Sequence, residues 1–127
     1  MPWTYAIDRE CDVVLVTVSG ILTGAELSAG ARALIQDPGF HPDIRIFLDY
    51  HAVSEVRVSY DLVEAMASSR VYSAKSRRAF YVLPGFAQGV VRYYQAFAQA
   101  GQVEVFAERD AAVAWLNEGV APEKWIE

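Results

Sequence analysis

Hydrophobic residues in this chain follow two rhythms, and the rhythm switches repeatedly. The switch is sharpest at Val103–Leu116, VEVFAERDAAVAWL, where a short apolar strand (Val103, Val105, Phe106) passes through Ala107 and Glu108 into a helix carrying Val113, Trp115 and Leu116. The period goes from 2 to about 3.6 within a few residues, the mark of a tight strand-to-helix connection. Upstream, Thr4–Asp8 and Val13–Ser19 read as two strands joined by the polar turn Arg9–Asp12, a hairpin. The second strand, VVLVTV, is apolar on both faces, which suits a central position, and Gly20 is expected to end it. Thr23-Gly24-Ala25-Glu26 has the spacing of a capping box, and Leu27, Ala31, Leu34 and Ile35 then form one helical stripe up to Asp37-Pro38-Gly39.

Ile44–Asp49 alternates as a third strand, followed by a loop or short extended piece. A helix is predicted from about Ser59 to Tyr72, with Ser59 as N-cap and Leu62, Ala65, Met66 and Ser69 on one face. Arg78–Leu83 is the fourth strand, broken by Pro84-Gly85. Residues 86–100 form a third helix with Val90, Tyr94 and Phe97 on a stripe, ended by Gly101. Residues 118–127 are a tail that still carries Trp125 and Ile126.

The order β-β-α-β-α-β-α-β-α predicts an α/β fold: a five-stranded mixed sheet, first strand antiparallel and the rest parallel, with four helices mainly on one face. Parallel strands joined through helices cross over right-handed, so neighbouring strands in chain order put their connecting helices on one side. Alternation places Val14, Val16, Ile44, Ile46, Leu48, Val103 and Val105 under the helices. Leu15, Phe47 and Tyr81 then point the other way, beside Arg45 and Glu104. A monomer rarely leaves such a patch bare. Its expected cover is a second copy of the chain, a homodimer with the terminal tryptophans contributing, and the alternative cover is the tail with Trp125 and Ile126, helped by Trp3.

Composition narrows the function classes. Residues 1–127 make one domain, and 54% hydrophobic and 13% aromatic content excludes a disordered chain. A net charge of −5 argues against a general nucleic-acid binder. The single Cys11 can form neither an internal disulfide nor a zinc site alone. The opening MPWTYAIDRE has no basic and apolar regions of a signal peptide, and no apolar run reaches the roughly 18 residues of a membrane span. The expectation is a cytoplasmic protein that does not span the membrane.

Three segments carry a family resemblance: VSGILTGAEL (Val18–Leu27), IFLDYHAV (Ile46–Val53), and GVVRYYQAF with VEVFAERDAAVAWL across Gly89–Leu116. Together they resemble the SpoIIAA-like, or STAS, family of small α/β domains related to anti-sigma-factor antagonists, most of all the bacterial branch labelled STAS/SEC14-like. The resemblance implies a SpoIIAA-like fold and a role in protein contacts. Phosphorylated antagonists of that family carry an Asp-Ser-Ser-Gly motif after the third strand. The matching stretch here is Arg57-Val58-Ser59-Tyr60, where only Ser59 falls on a Ser of the motif, the phosphorylated one. Gly89-Val90-Val91-Arg92 resembles a Gly-x-x-Arg pattern of the bacterial branch.

Each residue with chemistry has two readings. Ser59 is a phosphate acceptor favoured by a helix N-terminus, or an ordinary N-cap. Asp49 and His51 form an acid–base pair at the carboxyl end of a central strand, or a loop-capping carboxylate beside a solvent-facing imidazole. Arg92 reaches Asp49 or an anion at the strand ends, or is an exposed helical arginine. Arg70, Lys75, Arg77 and Arg78 hold an anionic partner, or complement a helix C-terminus and a solvated loop. The candidate site is therefore Asp49, Ser59 and Arg92, expected to gather with Pro84-Gly85 at one end of the sheet. No motif indicates a metal or a cofactor: CxxC, HExxH, a calcium loop, a Gly-Lys-Ser/Thr phosphate loop and a Gly-x-Ser-x-Gly elbow are all missing.

The leading expectation is a non-catalytic protein-interaction or regulatory domain. A carrier of a small lipophilic ligand is the alternative, drawing on Phe86, Tyr93, Tyr94 and Phe97, and a small enzyme using Asp49 and His51 stands last. A closed apolar cavity of several hundred cubic ångströms favours the carrier, whereas a solid core with a bare apolar sheet face favours the interaction domain.

Overall fold

The structure, a computed structural model, describes residues 3–127. Its elements are β1 (Trp3–Asp8), β2 (Val13–Thr23), α1 (Gly24–Ile35), β3 (Arg45–Arg57), α2 (Tyr60–Ala67), β4 (Arg77–Tyr81), α3 (Phe86–Phe97), β5 (Gln102–Phe106) and α4 (Arg109–Asn117), then a 3₁₀ turn at Pro122–Lys124. The strands stand side by side in chain order, with β1 antiparallel to β2 and every other pair parallel. This is the expected mixed sheet, with β5 at its edge.

Local chemistry explains the helix starts. The Thr23 hydroxyl accepts from the Glu26 amide at 3.3 Å and donates to the Glu26 carboxylate at 2.9 Å, closing the expected box. Ser59 accepts from the Leu62 amide at 3.2 Å. Gly85 precedes α3 at φ 144°, a conformation that L side chains rarely adopt.

The register lines up Val16, Leu48, Phe80 and Val105 across four strands. That row and its neighbours Val14, Ile44, Ile46 and Val103 lie under α1, α2 and α3, which supply Leu34, Val63 and Val91 to the core. All three helices connect parallel neighbours, so the right-handed crossover puts them on one face. The fourth helix departs from them. Among the described residues no strand follows α4, so no crossover there constrains it, and it packs Ala112, Val113 and Leu116 against Val13, Phe47 and Ala79 on the opposite face.

That packing changes the reading of the opposite face. Phe47, expected at a dimer face, is 5% exposed beneath α4 and Ile126. Tyr81 is half-buried, and only Leu15, 36% exposed, is left at the surface. The tail is the cover, through Ile126; Trp125 stays exposed. Trp3 takes no part in it, because it is buried on the three-helix face. Burying side chains the size of Phe47 or Leu116 contributes about 1.5–3 kcal/mol each.

The tail is held by a buried cation. Arg45 donates to the Lys124 carbonyl at 3.0 Å, to the Leu116 carbonyl at 3.1 Å and to the Cys11 carbonyl. Asn117 completes the fastening: its Oδ1 accepts from the Ile126 amide at 2.9 Å and its Nδ2 donates to the Ile126 carbonyl at 3.1 Å.

Two strands outrun their expected ends. β2 was expected to stop at Gly20 and β3 at Asp49, yet they stay paired as far as Thr23 and Arg57. Irregular register makes this possible. Tyr50 and His51 together stand opposite Val18, Ser54 has no partner between Val53 and Glu55, and Gly20 takes φ 67° beside the second shift.

Candidate functional site

The first bulge of β3 sits where the sheet divides. Pairing between β3 and β4 ends at Asp49 and Tyr81, after which β3 continues with β2 alone. The chain after β4 turns through Pro84 and Gly85 into α3. Between the two branches lies an open groove of about 300 Å³, lined on one side by Tyr50, His51 and Val53–Val56 and on the other by Val82–Ala87. Two apolar side chains at this groove stay in water, Leu83 at 49% and Phe86 at 69% exposed. The groove lies at the carboxyl ends of parallel strands, where α/β sheets usually hold ligands.

Asp49 and His51 meet at this end of the sheet. The Asp49 carboxylate accepts from the His51 amide at 3.2 Å and contacts the ring nitrogen Nδ1. The imidazole stacks on Tyr81, with centroids 5.2 Å apart and planes inclined by 15°. Its side chain is 48% exposed and that of Asp49 22%. The pair forms locally: at the bulge after Asp49 its carboxylate accepts from the main-chain amide two residues on, as aspartates in turns do, and the same carboxylate meets that residue's ring. Ser54 lines the same groove, but no hydrogen bond joins it to His51 among the described residues. The arrangement orients an imidazole without presenting it to a nucleophile.

The other two candidate residues stand apart from this groove. Ser59 caps α2, the plain reading of that serine, and does not line the groove. Arg92 is exposed on α3 and makes no ion pair among the described residues. The expected contact with Asp49 is corrected for a geometric reason: α3 covers the Leu48 and Tyr50 side of the sheet, whereas Asp49 shares the opposite side with Phe47. His51 thus lines the groove with Pro84 and Gly85, Asp49 reaches it only through its contact with His51, and Ser59 and Arg92 are not among the lining residues.

The basic cluster also divides. Arg77 donates to the Trp115 carbonyl at 2.7 Å and lies 5.0 Å from the centroid of the Trp115 ring, so it anchors α4. Arg78 is 1% exposed, with its guanidinium 4.1 Å from the Tyr72 ring centroid. It donates to the Tyr94 hydroxyl and the Ala100 carbonyl. The sequence places Arg78 at the start of the fourth strand, yet as part of a basic cluster its charge is expected to face a partner or solvent, which misses this role. A signal existed: Arg78 shares its strand face with Phe80 and Val82, both core residues.

Around Arg78 is a polar island inside the three-helix core. Tyr50, Phe80 and Tyr94 pack edge to face, at 5.4 Å for Tyr50–Phe80 and 5.4 Å for Phe80–Tyr94. Burial pushes the Tyr72 phenol up to about 12 and raises Tyr50 and Tyr94, with Arg78 acting against the rise at Tyr72 and Tyr94. Trp3 opposes the rise at Tyr50, yet its indole N–H completes no hydrogen bond. These side chains line an apolar cavity of about 90 Å³ between the sheet and α1, α2 and α3.

Among the described residues no group of three or more His, Cys, Asp or Glu is placed to hold a metal ion, and no helix is long and apolar enough to cross a membrane.

No protein-family model matches this chain, and no curated protein matches it. A solved structure does: an uncharacterized protein of the DUF3478 family with a SpoIIAA-like fold, from Shewanella loihica PV-4. It matches with a TM-score of 0.62 and 18% identity, covering 90% of this chain and 93% of its own. The likeness shows the fold, and the fold of this chain is SpoIIAA-like.

Proposed function

We propose that this SpoIIAA-like domain is a non-catalytic interaction domain that regulates a protein partner through the groove between β3 and α3. One observation carries the reading. Leu83 and Phe86, two large apolar side chains four-tenths or more in water, flank the Pro84-Gly85 turn beside a groove whose β3 edge has no neighbouring strand. Exposed aromatic and aliphatic anchors beside a concavity are the usual core of a protein contact. Asp49 and His51 fit this role as a polar rim. The setting proposed is the cytoplasm, consistent with a lone, unpaired thiol at Cys11.

Site-specific photocrosslinking in the native host tests it. A photoreactive residue at position 83 or 86 should give one discrete protein adduct, and the same residue at Arg32 on α1 should not. An adduct consisting of two copies of this chain would identify the partner as a homodimer mate. Adducts at 83 and 86 that match those at 32, or none at all, would remove the groove as the contact.

A second reading, carriage of a small lipophilic ligand, rests on the cavity under the three helices. Its volume, about 90 Å³, is well below the several hundred cubic ångströms typical of lipid-sized or drug-sized sites. Any cargo is therefore small.

A further inference from the structure

We infer that the cavity between the sheet and the three-helix layer is a site for a short-chain carboxylate, held by Arg78 with its tail in the apolar wall. The inference rests on the carriage reading and names its ligand class. Arg78 lines the cavity at 1% exposure and has no carboxylate partner among the described residues. Its contacts are a hydroxyl, a carbonyl and two aromatic rings, all neutral. Buried charges in proteins are ordinarily paired, because desolvating an ion costs several kcal/mol.

The hydrogen-bond ledger points the same way. Two buried side-chain nitrogens among the described residues complete no hydrogen bond, Arg78 Nε and Trp3 Nε1, and both residues line this one cavity; Trp3 has Tyr50 beside it, so the deficit falls on Arg78. Both are donors. The missing group is thus an acceptor, and beside an uncompensated guanidinium an anionic one fits best. Besides the rings of Tyr50, Tyr72, Phe80 and Tyr94, the wall is largely aliphatic, Leu22, Leu34, Ile46 and Val63 among it, and that part offers nothing to a fully polar ion. Size sets the upper limit: a cavity of 150 Å³ accepts benzene, and this one is smaller, which leaves room for about three water volumes of ~30 Å³. A carboxylate with a tail of a single carbon, acetate, meets all three conditions.

Titration calorimetry with sodium acetate and with acetamide, at matched ionic strength, tests this on the whole chain. Acetate should bind saturably, and the neutral amide about tenfold or more weakly, since it forfeits the charge-assisted contact. Arg78→Met should abolish the preference for the acid over the amide. If that variant does not fold, Val90→Phe, which fills the cavity from its wall and leaves Arg78 in place, should weaken acetate by a similar factor. Equal binding of acid and amide would overturn the carboxylate assignment while leaving carriage of small apolar cargo standing. No binding of either would mean that the cavity holds water only, and would overturn both.

Discussion

The indole of Trp3 lies against the backbone of Gly30, so that a Cβ at residue 30 would fall closer than 3.0 Å to three atoms of the ring. The contact ties the edge strand β1 to α1 on the three-helix face. In an open helix, Gly30→Ala would stabilise by about 1 kcal/mol. Here the buried ring has to move, and the substitution should instead cost about 1–3 kcal/mol, as overpacked cores do. Urea unfolding of the variant measures the sign directly, and a stabilised Gly30→Ala would contradict the contact.

Phe47→Glu should not yield a folded monomer from a dimer. It should destabilise the fold by about 3 kcal/mol or more, because the ring's packing under α4 and Ile126 is lost and a carboxylate is buried there, with only the Arg109 guanidinium, 5.6 Å from the Phe47 ring centroid, to offset it. Leu15→Glu, on the same face but at the surface, should change stability by about 0.5 kcal/mol or less. Thermal melts of the two variants side by side would show the contrast.

Ser59→Ala should lower stability by about 1 kcal/mol through the lost cap on Leu62, and Ser59→Asp should restore most of it. Denaturant midpoints decide this. If the alanine variant is as stable as the parent, the cap contributes nothing.

The buried phenols predict an alkaline limit. Burial raises Tyr50, Tyr72 and Tyr94 in the folded state, Tyr72 to about 12, whereas an unfolded tyrosine ionises near pH 10. A raised folded pKa means that the stability these groups lend is fully present below about pH 10 and is lost as the pH rises through about 12. Absorbance of tyrosinate, followed together with circular dichroism, should show the last phenols ionising in step with unfolding. Ionisation of every tyrosine near pH 10 in a folded chain would contradict the burial.

The sheet and its order were legible because VVLVTV, the capping box at Thr23 and the AWL ending are local signals that tertiary packing reinforced. The face of α4 was not, because the rule that orients a helix between parallel strands is silent about a helix with no strand after it. The length of β3 was hidden by its composition: HAVSEVR has few apolar residues, and its pairing depends on β2 and two register shifts rather than on burial. At the site, Asp49 and His51 were readable as a pair two residues apart, whereas the contact proposed for Arg92 needed the faces of two distant elements. The buried roles of Arg45 and Arg78 were obscured by residue type, since a charged side chain reads as surface unless its strand parity is followed.

The way Arg45 fastens the tail has a consequence for how freely this chain can vary. Three of its acceptors, at Cys11, Leu116 and Lys124, are main-chain carbonyls, which every amino acid possesses. The clasp is therefore blind to side-chain identity at those positions and sensitive to the path of the backbone. Lys124 can be exchanged for almost any residue that keeps the turn, and Cys11 for one of similar size. Inserting or deleting a single residue between Asn117 and Ile126 would take either the Lys124 carbonyl away from Arg45 or Ile126 away from Asn117 while the acceptors at Cys11 and Leu116 stay put, so sequence drift in the tail should be free in letters and strict in length.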